Sequence, residues 1–228
     1  MKFSVVGNSH VGFFSGTNDM AIGDPKTWRN TKDRNEKFET YPMGAHLCYN
    51  LNNKQHPGRR DFENILGRIN QSNPLILMYG EIDCRNHLVL QAENMEKSFI
   101  YAVHLCIKNY MEFIDWLIKH SRVDPIILWG PHPPMLPGTK FKKGWKKMSN
   151  LHFGTYDEVC YIEYLFNNVL AYECEKRDRL VFATLYYRMM EYFMNEEPKF
   201  YAPDDFHLSQ EMYPYAVEEL NNVLGVEI

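Results

Sequence analysis

The run Pro74-Leu75-Ile76-Leu77-Met78-Tyr79-Gly80 restricts the possible folds more than any other stretch of this chain. It is short, uniformly apolar, opened by proline and closed by glycine. A strand with one face in water alternates apolar and polar residues, whereas a strand without alternation is covered on both faces, as in the middle of a parallel sheet. Asp124-Pro125-Ile126-Ile127-Leu128-Trp129-Gly130 repeats the form, and Lys2 to Val6 stops as abruptly at Gly7. Leu180-Val181-Phe182-Ala183-Thr184-Leu185 supplies a last strand, and Phe38 to Tyr41, halted by Pro42-Met43-Gly44, a weakly signalled second one.

Between these runs the apolar period changes from continuous to helical. Phe62, Ile65, Leu66 and Ile69 mark a helix within Gly58 to Gln71, after a short one around Ala45 to Leu51. A long helix from about Gln91 to His120 carries Met95, Phe99, Val103, Ile107, Tyr110, Ile114 and Leu117. Thr155-Tyr156-Asp157-Glu158 is a capping box opening a helix to about Arg177, and Ser209 caps a final helix with Met212, Val217, Leu220 and Leu224 inward. Polar connections are expected over Ser15 to Asn35 and Glu196 to Pro203, and a lysine-rich loop holds Lys140 to Lys147 with Phe141 and Trp145. Strand and helix alternate without linker or repeat. The expectation is one domain over residues 1–228, a three-layer α/β/α sandwich around a parallel sheet.

Composition narrows the function. A net charge of −4 leaves no broad basic surface for neutralising phosphates, which argues against a nucleic-acid partner. The five cysteines are scattered and never form a Cys-x-x-Cys pair, so a reduced, intracellular compartment is expected. The chain enters a strand directly after Met1-Lys2, with no signal-peptide pattern, and no run approaches the roughly 18 apolar residues of a membrane span. These features predict a cytoplasmic protein without a membrane span, and they leave the oligomeric state open.

Right-handed crossovers place the carboxyl ends of parallel strands on one edge, where open α/β sheets bind ligands. Ser9, Gly44, the polar cluster Gly80 to His87, and Gly130 to Pro134 converge there. In isolation Asn8 and Ser9 are turn formers or a helix cap. Joined to Asp204 and His207 near the other terminus, they are the parts needed for acyl transfer: a hydroxyl, an imidazole to take its proton and a carboxylate to orient the imidazole. Backbone amides of Ser9 and Gly44 would supply an oxyanion hole.

These blocks, in order, resemble those of the SGNH (GDSL-type) hydrolases: Gly7-Asn8-Ser9-His10, Gly44, Gly80-Glu81-Ile82-Asp83 and Asp204-Asp205-Phe206-His207. The fuller run Gly80-Glu81-Ile82-Asp83-Cys84-Arg85 with His87 looks like a subgroup associated with bacterial glycan and surface-polysaccharide clusters. The resemblance implies a flavodoxin-like fold, hydrolysis of O-acyl or O-acetyl esters on a carbohydrate or related small molecule, and no metal or organic cofactor. It casts Ser9 as nucleophile, His207 as general base and Asp204 as orienting carboxylate.

Two departures stand out. Asn8 replaces the family's usual aspartate, and Ile82 stands where the family has an asparagine whose amide is the third oxyanion donor. Arg85 is one candidate replacement, its alternative role being to pair with Glu81 or Asp83, and Asn8 is another. Glu81 and Asp83 would orient Arg85 or contact sugar hydroxyls, while His10 and His87 fit as hydrogen-bond partners at the substrate. A metal reading of His10, Asp83, Asp204 and His207 has no support from their spacing, and Cys84 lacks a positioned base beyond His87. Ester hydrolysis is the expected activity, with acyl transfer to another hydroxyl, or non-catalytic glycan or small-molecule binding, as alternatives.

Overall fold

The computed structural model describes residues 1–16, 36–134, 154–193 and 207–228. The polar connection after Gly16, the lysine-rich loop, the segment Glu196 to Pro203 and Asp204 to Phe206 lie outside them. Five strands, β1 (Phe3–Gly7), β2 (Phe38–Pro42), β3 (Leu75–Met78), β4 (Ile126–Trp129) and β5 (Leu180–Ala183), form one sheet in the order β2-β1-β3-β4-β5. All four pairings are parallel. The helices are α1 (Pro57–Leu66), α2 (Leu88–Met95), α3 (Phe99–His120), α4 (Tyr156–Glu175), α5 (Tyr186–Phe193) and α6 (Tyr213–Leu224).

Both sheet faces are covered, as continuous apolar strands require. Leu75, Leu77, Ile126 and Leu128 pack against Phe62, Val103, Ile107, Ile114, Ile162 and Phe166 from α1, α3 and α4. Ile76, Met78, Ile127 and Trp129 point the other way, onto Phe13, Phe14, Met189, Ala216 and Leu220. Two buried cores on opposite faces make the three-layer sandwich. No helix among the described residues is long and apolar enough to cross a membrane.

Strand order reverses between β1 and β3, which opens a crevice beyond their carboxyl ends. Gly7 makes that crevice narrow: a Cβ there would lie 2.2 Å from the Met78 carbonyl oxygen, so a side chain cannot be accommodated without parting the strands. The chain then leaves the sheet at Asn8 into a tight 3₁₀ helix, Ser9–Ser15.

Three local expectations change. The long helix is two, because Glu96 takes a left-handed conformation (φ 53°), Lys97 N–H returns to the Ala92 carbonyl at 2.9 Å, and Ser98 caps α3. The helix around Ala45 to Leu51 is only a 3₁₀ turn, Cys48–Asn50, because the Cys48 and Tyr49 amides go to the Asp83 carboxylate and not to a helical carbonyl. Last, β5 ends at Ala183, and Thr184 accepts the Tyr186 amide at 3.0 Å to start α5, a helix not anticipated from the sequence.

Candidate active site

Asn8 is the N-cap of the 3₁₀ helix, and its side-chain oxygen accepts the His10 N–H at 3.1 Å. That bond fixes the amide's orientation. The same oxygen lies 3.0 Å from His10 Nδ1, so Nδ1 carries the proton and donates. The Asn8 Nδ2 is left buried, with no partner among the described residues. Ser9, the first helical residue, has no acceptor within the helix for its own N–H.

His207 comes to this turn from the far end of the chain. Its Nε2 lies 2.8 Å from the Ser9 Oγ, 198 residues away in sequence. His207 is only 1% exposed, while Ser9 is half-buried, so the imidazole is screened from solvent and the serine is partly open to it. Asp204, the expected orienting carboxylate, lies outside the described residues. Gly44 sits beside β1 in the turn leaving β2, where Met43 N–H donates to the Gly7 carbonyl at 2.7 Å. Its φ of +78° is a conformation natural to glycine, and a Cβ there would meet nothing within 4 Å.

The polar cluster after β3 is divided by its own helical winding. Residues 83–87 form a π-turn running into α2, so Glu81 and Arg85, four apart, share one side. Arg85 binds Glu81 through Nε and Nη2, both residues being 5% exposed. Burial raises the Glu81 carboxyl above its ordinary range, with the Arg85 charge pulling it back. Glu81 also reaches His10, whose Nδ1 is 3.5 Å away.

Asp83 lies on the other side. Its oxygens accept the amides of Cys48 at 2.9 Å and Tyr49 at 3.3 Å and the thiol of Cys106 at 3.6 Å, and it is 1% exposed. This carboxylate, expected at the substrate, holds the Gly44 loop to the sheet from behind. His87, half-buried at the end of the π-turn, lies near enough to Asp83 to favour its charge. Cys84 is fully buried, its thiol pushed up by burial, and is not placed for nucleophilic attack.

Two site residues escaped sequence reasoning. His132 lies at the end of β4, its ring 5.1 Å from that of His10, which in turn lies 4.6 Å from that of His207. Its Nδ1 donates to the Pro133 carbonyl at 3.0 Å, and burial lowers its pKa to about 4, so the ring is neutral near pH 7. Its position at a strand's carboxyl end was the available signal, obscured by the prolines around it. Glu163 on α4 is 0% exposed, with neither oxygen hydrogen-bonded among the described residues. Burial holds it strongly toward the neutral acid beside the Glu81–Arg85 pair. Within a helix full of tyrosines it gave no sign of burial.

No protein-family model matches the chain, and no curated protein does. Solved structures do. Phospholipase A1 from Streptomyces albidoflavus superposes with a TM-score of 0.53 at 12% identity over 97% of this chain and 98% of that one. A protein assigned to the SGNH hydrolases from Slackia heliotrinireducens gives 0.51 at 11% identity over 99% of both. A variant acetyl xylan esterase from Geobacillus stearothermophilus gives 0.51 at 12% identity over 100% of this chain and 95% of the other. The chain has the α/β/α fold of these proteins. At such identities the likeness speaks for the fold and not for the chemistry.

Proposed function

We propose that this protein is an SGNH-type serine ester hydrolase that removes an O-acyl or O-acetyl group from a carbohydrate or related small molecule. One observation carries the reading: a hydroxyl and an imidazole from opposite ends of the chain meet at 2.8 Å beside the topological switch of a parallel sheet. His207 Nε2 takes the Ser9 proton as Oγ attacks the ester carbonyl. It then returns the proton to the departing alkoxide, and water clears the acyl-enzyme by the same route. The SGNH resemblance gives Asp204 the part of the carboxylate that orients His207 for this proton transfer.

The developing oxyanion is met by the N–H groups of Ser9 and Gly44. Asn8 supplies the third donor in place of the missing asparagine at Ile82. It is a better candidate than Arg85, because its Nδ2 is buried with no partner among the described residues, whereas the Arg85 guanidinium is ion-paired to Glu81 and donates to it through Nη2. Arg85 and Glu81 then act on the site through His10, which they help to orient. The ordered sequence blocks shared with the SGNH hydrolases support the ester class, and the subgroup resemblance supports a carbohydrate alcohol.

Hydrolysis of p-nitrophenyl acetate and of an acetylated xylo-oligosaccharide by wild type and Ser9→Ala tests the reading. Turnover abolished by the substitution is expected. Equal rates in the two proteins would refute it.

A further inference from the structure

Behind the Gly44 loop, Cys48, Asp83 and Cys106 form a second cluster that the proposed hydrolysis does not use. It joins three elements: the 3₁₀ turn Cys48–Asn50, the π-turn after β3 and the middle of α3. Exposures of the three residues are 0, 1 and 0%. The Cys48 and Cys106 sulfurs are 3.6 Å apart, Cys106 Sγ is 3.6 Å from Asp83 Oδ1, and all three ligand atoms lie within 4.8 Å of one another.

The geometry points to a structural zinc site at Cys48, Asp83 and Cys106. Zinc–sulfur bonds of about 2.3 Å at tetrahedral angles set two thiolates about 3.8 Å apart, and a thiolate and a carboxylate oxygen about 3.6 Å apart. The Cys48–Cys106 and Cys106–Asp83 edges match this spacing with the side chains as they stand. The Asp83 carboxylate is already oriented by the Cys48 and Tyr49 amides, the kind of outer hydrogen bonding that aims a ligating carboxylate. Binding exchanges two thiol protons for one Zn²⁺, so the cluster carries a single negative charge before and after.

A second observation is independent of the ligand atoms. Tyr110, one turn along α3 from Cys106, has a buried hydroxyl without a partner among the described residues. It is close enough to Cys48 and Asp83 for their charges to act on it. A water in the fourth position of the ion, on the Tyr110 side, would give that hydroxyl a partner. The ion would fasten the Gly44 loop to α3 and the sheet. Full burial implies loading during folding, as structural zinc sites do.

The test uses the full chain, expressed without a polyhistidine tag in zinc-supplemented medium and analysed by plasma mass spectrometry. About one zinc per chain is expected, falling below about a tenth in Cys48→Ser/Cys106→Ser. Wild type grown in cobalt, which needs no variant to fold, is expected to show a thiolate-to-cobalt charge-transfer band in the near ultraviolet. Wild type with less than about a tenth of an equivalent of either metal would overturn the proposal. So would a Cys48–Cys106 disulfide found by mass spectrometry, or metal kept in the double cysteine variant and lost in His132→Ala, which would put the ion at His10, Glu81 and His132.

Discussion

Glu81 and Asp83 are separated by one residue, yet they serve opposite sides of the same wall. Glu81 turns toward the cleft, where it joins Arg85 to His10. Asp83 turns inward, where it binds two backbone amides and a thiol beneath the Gly44 loop. The winding of the turn divides them, since residues four apart share a side and residues two apart do not. The cleft side therefore does the proposed chemistry, with Ser9 partly open to solvent above buried partners, while the core side holds that chemistry's loop in place. Substitutions on the two sides should separate cleanly into losses of rate and losses of stability.

The largest effect expected is on the cleft side. Ser9→Ala or His207→Ala should each lower kcat by about 10⁴-fold or more with the melting temperature within a few degrees of wild type, measured by ester assay and calorimetry. Next, Asn8→Ala should lower kcat by about 10²–10³-fold with KM little changed, as for loss of one oxyanion donor. If Arg85→Lys has that signature and Asn8→Ala does not, the third donor is the guanidinium.

On the core side, Asp83→Ala leaves the buried amides of Cys48 and Tyr49 without an acceptor. A cost of about 2–6 kcal/mol is expected at roughly 1–3 kcal/mol for each of the two unsatisfied groups, read by chemical denaturation. A loss of kcat at unchanged stability would put Asp83 back at the substrate.

The smallest effect concerns pH. His132 is held neutral by burial, with a pKa lowered to about 4 from an unfolded value near 6.5. Between these values the unfolded chain binds a proton that the native state refuses, so His132 makes stability fall as pH drops through 6.5 toward 4. The span sets an upper limit of about 3 kcal/mol. His132→Asn should remove that part of the acid loss, seen as a shallower dependence of melting temperature on pH over this window.

The apolar runs made the sheet legible, because continuous burial of Leu75 to Met78 and Ile126 to Trp129 needs covering layers on both faces. The meeting of Ser9 and His207 was legible only as block order plus the shared edge of a parallel sheet. The inward role of Asp83 was not, since an acidic string reads as one polar loop until its helical winding is known. Neither was the break at Glu96, where the apolar stripe continues across a residue in left-handed conformation. Burial of Glu163 depends on what packs against α4, and one helix's residues carry no record of that.

The central claim is that Ser9 is a nucleophile activated by His207. Reaction of the full chain with a fluorophosphonate probe, followed by peptide mass spectrometry, tests it most directly. The account predicts one adduct on Ser9, formed much more slowly in His207→Ala. Labelling at another residue, or at the same rate without the imidazole, would contradict it.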